Sequence, residues 1–211
     1  MSHDHGHDHA HDPITADGEA PAARVRALEE LLVEKGIVDR EEVRRGIDWL
    51  VSRTPADGAR LVARAWVDAA FRERLLADAR EAALELGLDP GSSPAVVALE
   101  NTDAVHHVVV CTLCSCYPRA LLGPPPDWYK SLPYRSRVVS DPRGVLREFG
   151  AEIADDVEVR VVDSTADMRY LVIPRRPSGT DHMSEEELAE LVTRDSMIGV
   201  ALATSGSRAS R

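Results

Sequence analysis

The sequence predicts an α+β fold: an N-terminal helical arm followed by a layered α/β/β/α domain whose mixed sheets carry a cysteine loop. Three observations point there. Apolar residues recur at helical spacing from Pro21 to about Leu88. Beyond Gly91 the period changes, and Ala95–Leu99 and Val105–Val110 are rich in strand formers. The second of these runs leads straight into Cys111-Thr112-Leu113-Cys114-Ser115-Cys116, so a rigid strand end fixes the loop.

In chain order, residues 1–20 open with His3, His5, His7, His9 and His11 alternating with Asp, Gly and Ala. Such a tract is too polar to pack and is expected to be a disordered tail. Residues 21–90 form the arm. Val25, Leu28, Leu31 and Leu32 make one stripe that stops at Gly36, and Asp39 with Glu42 resembles a capping box before Val43, Ile47 and Leu50. A further stretch carries Leu61, Val62, Ala65, Trp66, Phe71, Leu75, Ala79 and Ala82, ending near Gly87. These faces either embrace another subunit or close on themselves as a helical hairpin.

Residues 91–204 form the α/β domain. After the cysteines, Gly123 and Pro124 to Pro126 stiffen the chain, and Asp141-Pro142 opens a helix ending at Gly150. Val157–Val162 and Tyr170–Ile173 read as two more strands, and Ser184 with Glu187 caps a final helix. Residues 205–211 are expected to be a loose tail.

Composition limits the partners. With 36 acidic residues against 25 Lys plus Arg, the net charge of -11 argues against binding a nucleic-acid backbone. No apolar run reaches the roughly 18 residues of a membrane helix and no signal peptide is visible, so a cytoplasmic location is expected. With 211 residues, 44% of them hydrophobic, one sizeable core can be buried.

The cysteine loop holds all 3 cysteines of the chain, a density that makes sense chiefly as the ligand set of one metal ion. A structural zinc site needs a second ligand pair, which is missing, and strand alternation lets at most one of His106 and His107 reach the loop. A disulfide framework suits neither the odd count nor the Cys114–Cys116 spacing, and a thioredoxin-like pair leaves Cys116 unexplained. If the amides of Ser115 and Cys116 deprotonate, the loop offers three sulfurs and two nitrogens, a donor set that favours a trivalent low-spin ion over zinc. One position stays open for water or substrate.

The run Val108-Val109-Val110-Cys111-Thr112-Leu113-Cys114-Ser115-Cys116-Tyr117-Pro118, followed by Pro125-Pro126-Asp127-Trp128-Tyr129-Lys130-Ser131, closely resembles the α-subunit of nitrile hydratases. Similarity continues through Tyr134 to Val139, Asp141 to Leu146, Tyr170 to Pro174 and Arg194 to Val200. The resemblance implies Cys111 as an axial thiolate ligand, Cys114 as a sulfinate, Cys116 as a sulfenate, and Ser115 and Cys116 as donors through their amides. It implies that Thr112 accompanies Co(III), with Fe(III) the alternative, and places Asp163, Asp167 and Arg169 around the ligands. Their alternative is a solvated strand end with a local ion pair.

Where many family members carry tryptophan, this chain has Arg119, which thiocyanate hydrolases and the nitrile hydratase acting on toyocamycin share. An arginine at the pocket favours a polar or anionic substrate, unless it is a surface residue at a subunit contact. The resemblance thus implies the metal-bearing subunit of a cobalt nitrile hydratase, active with one or two β-type chains, with Cys116, Ser115 and Arg119 acting on the nitrile. Thiocyanate hydrolase and a non-catalytic cobalt carrier are the other readings. The histidine tract would scavenge divalent cobalt or merely solubilise the chain.

Overall fold

The computed structural model describes residues 19–91 and 95–204; the histidine tract and residues 205–211 lie outside them. The chain divides into two compact units between Asp48 and Trp49. The first contains α1 (Glu19–Glu34) and most of α2 (Arg40–Ser52). α1 begins at Glu19, two residues before the expected boundary, and its chain reverses at Gly36, whose φ of 66° suits a residue without Cβ. Asp39 accepts the Glu42 amide at 2.9 Å and starts α2. Val25, Leu28, Leu31 and Ile47 are exposed.

The second unit contains α3 (Ala56–Val67), α4 (Ala69–Ala77) and α5 (Ala79–Glu85), which the sequence joined to the arm. Leu61, Val62, Phe71 and Leu75 are completely buried in its core, so the expected arm of residues 21–90 is divided. The physical reason is face burial: these helices carry a continuous apolar stripe, whereas α2 buries no residue at all. One helical stretch becomes three because Asp68 and Asp78 adopt extended backbone and each caps the next helix, Asp68 accepting from Phe71 and Asp78 from Arg80 and Glu81. The Trp66 indole donates to the Pro174 carbonyl at 2.8 Å, and Arg64 pairs with Glu185 at 3.1 Å, tying α3 to the far end of the domain.

Strands β1 (Ala95–Glu100) and β2 (Val105–Val110) come next, followed by the short helices α6 (Arg119–Leu122), α7 (Asp127–Lys130), α8 (Leu132–Ser140) and α9 (Pro142–Glu148). β3 (Glu158–Asp163) and β4 (Met168–Ile173) precede α10 (Glu185–Glu190) and α11 (Arg194–Ile198). The α+β class holds, but the sheets are not mixed. β1 pairs with β4 and β2 with β3, both in parallel. The helical connection between β2 and β3 is long enough for a parallel return, a choice that strand composition alone cannot dictate.

Ser184 and Glu187 form the expected reciprocal cap of α10, although α11 rather than α10 is the last helix among the described residues. α11 ends on Gly199 with φ of 89°, packed so closely on β2 that a Cβ there would collide with the His107 carbonyl.

Candidate metal centre

Parallel pairing builds the site. Val110 lies opposite Asp163 at the ends of β2 and β3, so both chains leave the sheet at the same carboxyl-terminal edge, where parallel sheets present their binding loops. The Ser164 amide donates to the Val110 carbonyl at 2.7 Å, and Cys111 is the first residue beyond β2.

Residues 111–116 then form neither helix nor strand, and their cysteines turn inward on one another. Cys111 Sγ lies 3.5 Å from Cys114 Sγ, which lies 3.2 Å from Cys116 Sγ; all three sulfurs fall within 4.8 Å of one another. These separations exceed a disulfide bond of about 2.05 Å, and the three cysteines are free. Cys111 is buried, Cys116 half-buried and Cys114 exposed, so the cluster is anchored at one end and open at the other.

Charge is unevenly shared. Hydrogen bonds from Cys116 and Cys111, followed by the amides of Ser115 and Cys116, lower the Cys114 thiol to about 7. Burial, then the demand of Cys114 for the shared proton, raises Cys116 to about 12, while the nearby Arg169 guanidinium works the other way. The cluster thus gives up its first proton near neutrality, mainly from Cys114. Both amides that the sequence offered as nitrogen donors lie against the Cys114 sulfur. Three converging sulfurs with amide nitrogens beside them fit a transition ion of soft or borderline character.

Side chains from elsewhere hold the loop. Asp163 accepts the Thr112 amide at 3.0 Å and its hydroxyl at 2.5 Å. Arg135 donates to the Cys114 carbonyl at 2.9 Å and Tyr129 to the Cys116 carbonyl at 2.8 Å. Tyr134 donates to the Val109 carbonyl at 2.7 Å, one residue before β2 ends. Burial raises the Tyr129 and Tyr134 phenols well above their usual range, so both remain donors.

An open cleft borders the sulfurs, lined by Trp49 and Leu50 from the end of α2 with Ser115, Arg119 and Arg169. Arg119 is the first residue of α6 and is exposed. Arg169 donates to the carbonyls of Thr165 and Met168 and also lines the cleft. The structure therefore gathers Cys111, Thr112, Cys114, Ser115, Cys116, Arg119, Asp163 and Arg169 at one place. Asp167 is different: its carboxylate is exposed and joins no ion pair among the described residues, so the local pair with Arg169 that the sequence allowed is absent.

Neither histidine of β2 turns toward the loop. His106 Nε2 donates to the Gly199 carbonyl at 2.8 Å, and its Nδ1 accepts from the Asn101 amide at 3.1 Å. His107 donates its backbone N–H at 2.7 Å and its ring Nδ1–H at 3.2 Å to Asn101 Oδ1. Burial lowers both imidazoles, which stay neutral. Sequence reasoning missed the roles of Trp49, Leu50, Tyr129, Tyr134 and Arg135. The aromatic and arginine residues of 128–135 stood within the recurring motifs, but only the fold shows what they touch.

The family model for the nitrile hydratase alpha chain matches residues 19–201. The alpha subunit of the low-molecular-weight cobalt-containing nitrile hydratase of Rhodococcus rhodochrous is 49% identical over 204 residues, covering 96% of this chain and 99% of that subunit. The gamma subunit of thiocyanate hydrolase from Thiobacillus thioparus is 43% identical over 191 residues, covering 85% of this chain and 79% of that one. Among solved structures, a double mutant of the iron-type nitrile hydratase from Comamonas testosteroni Ni1 superposes with a TM-score of 0.82 at 41% identity, covering 90% of this chain and 93% of that one.

Proposed function

The chain belongs to the family of nitrile hydratase alpha chains, and from that premise we propose that it is the metal-bearing subunit of a cobalt nitrile hydratase, hydrating a nitrile to its amide. The observation that carries this reading is the convergence of three sulfurs within 4.8 Å, at the carboxyl edge of a parallel strand pair and open to a cleft. Cys111, Cys114 and Cys116 would hold the ion through sulfur, and Ser115 and Cys116 through their amides, with Thr112 favouring Co(III) over Fe(III). When bound, such an ion supplies Lewis acidity, polarising the nitrile toward attack by water.

The protein supplies the rest. Cys116, as a sulfenate, would present an oxygen that either accepts a proton from attacking water or adds to the nitrile carbon. In the second case water at sulfur would break the S–O bond, release the amide and restore the sulfenate. Cys114, as a sulfinate, presents oxygens to arginines of a partner chain. The Ser115 hydroxyl borders the cleft and can donate to the substrate. Arg119 and Arg169 line the cleft that borders the sulfurs, which supports a polar nitrile such as a cyano-nucleoside. Asp163 orients the loop through Thr112, whereas Asp167, just before β4, makes no ion pair among the described residues.

One or two β-type chains would close the open side of the site; Leu113 at the tip of the loop is 87% exposed and offers them an apolar contact. A cytoplasmic location is part of this proposal; no helix among the described residues is long and apolar enough to cross a membrane. The same two arginines also favour an anion, and this supports thiocyanate hydrolysis as the second reading.

Expression with the partner chains, followed by intact mass, cobalt analysis and product assay, tests the proposal. We expect cobalt, added oxygen mass on this chain and amide release from a nitrile. Carbonyl sulfide and ammonia from thiocyanate, without amide release, would favour the second reading. Readily exchanged Co(II) on unmodified thiols would point to a carrier.

A further inference from the structure

Residues 111–116 make no backbone ladder among the described residues, so their conformation depends on side chains. Three of these side chains come from one short segment. Tyr134 takes the Val109 carbonyl at 2.7 Å, Arg135 the Cys114 carbonyl at 2.9 Å, and Tyr129 the Cys116 carbonyl at 2.8 Å. The contacts fall before, within and at the end of the cysteine run.

Strand geometry explains the first contact. The Val110 carbonyl faces β3, where Ser164 donates to it, so the Val109 carbonyl faces the opposite side of the strand. Among the described residues β2 has no second partner there, and the Tyr134 phenol takes the place of a neighbouring strand. The segment itself is stiff. Ser131 caps α8 through the Tyr134 amide and also donates to the Trp128 carbonyl at 2.8 Å, while Pro133 occupies the first turn. Trp128 packs edge-on against Tyr134 at 4.8 Å and Phe149 at 4.7 Å, and Tyr129 against Tyr117 at 5.2 Å.

We propose that Tyr129, Tyr134 and Arg135 are positioning residues of the metal centre, a carbonyl clamp that sets the sulfur spacing and the ligand geometry around the ion. The proposal rests on the three cysteines being the ligands of cobalt. Fixing the Cys116 carbonyl fixes the plane of its peptide, and with it the direction of the adjoining side chain. The Cys114 carbonyl does the same at the tip. An ion entering this loop finds sulfurs already 3.2 and 3.5 Å apart and needs little rearrangement of the chain.

The test uses the cobalt-loaded complex with its partner chains and two variants, Tyr129→Phe and Arg135→Gln. Tyr129→Phe removes one oxygen and keeps the ring packing. The readouts are the sulfur-to-cobalt charge-transfer absorption and the rate at which EDTA removes cobalt, with the thermal melting midpoint measured in parallel. The expected result is a shifted band and cobalt loss accelerated about five-fold for each hydrogen bond removed. If Tyr129→Phe does not assemble, Arg135→Gln on the outer side of the loop carries the same test. Unchanged bands and loss rates overturn the clamp, even if the melting midpoint falls, because a purely structural role moves only the latter. A parent complex that retains no cobalt overturns the ligand assignment itself and the clamp with it.

Discussion

Asp163 holds Thr112 by two hydrogen bonds at once, accepting its amide at 3.0 Å and its hydroxyl at 2.5 Å. The carboxylate stands at the end of β3 and the threonine one residue beyond Cys111, so a single side chain ties the cysteine loop to the neighbouring strand.

Asp163→Ala should therefore loosen the entrance to the loop. Hydrogen bonds to a charged acceptor are each worth about 1.5–3 kcal/mol, and the exposure of this pair puts the expected loss toward the lower end. The assembled variant should retain less cobalt and turn over more slowly. Thr112→Ser keeps both donors and loses one methyl, so it should preserve the fold and most of the cobalt. Metal analysis after growth with cobalt and iron together checks both; equal cobalt content in Asp163→Ala and the parent would contradict the account.

Cys114 should be the first thiol to react in the metal-free chain. Thiolate is the nucleophile, and a group lowered to about 7 gains thiolate as the pH rises through neutrality. Alkylation by iodoacetamide under reducing conditions should modify Cys114, with a rate that rises most steeply near pH 7. Cys116, raised to about 12, and buried Cys111 should lag. Peptide mapping across pH reads this directly, and dominant labelling of Cys116 at neutral pH would reverse the assignment.

Legibility differed by element for physical reasons. The cysteine loop and the strand before it were readable because composition and position sufficed: β2 spans the residues that its valines marked, and the loop comes directly after it. The α10 cap was readable because Ser184 and Glu187 satisfy each other within one turn. α6 and α7 are only four residues each, too short to show a period, and their shape comes from packing. Arg135 meets Cys114 across 21 positions, a contact that no local pattern encodes. The boundary of the arm was misplaced because an apolar helical face looks alike whether it seeks a partner chain or its own core. Only burial separates Leu61 from Leu28.

The neutral pair His106 and His107 predicts acid sensitivity. Burial places both below their ordinary value of about 6.5, so between the folded and unfolded values the unfolded chain binds more protons. Stability should be flat above about pH 7.5 and fall as the pH drops through 6.5, by at most about 1.4 kcal/mol per pH unit for each histidine. His106→Gln can still donate to the Gly199 carbonyl but does not titrate. Its denaturation midpoint should depend less steeply on acid than that of the parent; equal slopes would show that the pair is not the source.

Arg119 decides the last prediction because it lines the cleft beside Ser115 and Cys116 with Arg169 on the same cavity. A fixed guanidinium rewards a substrate that offers acceptors or negative charge and penalises one that leaves it unpaired, whereas an apolar wall discriminates only about 10–200-fold per methylene. Arg119→Trp should therefore shift the ratio of kcat/KM values toward simple aliphatic nitriles and away from a cyano-nucleoside, by about ten-fold or more in the assembled enzyme. The shift should come mainly through KM if the arginine binds ground state and transition state alike, and through kcat if it acts only as charge develops. A ratio unchanged between parent and variant would place Arg119 outside the substrate path, leaving the choice of nitrile to Trp49, Leu50 and the partner chain.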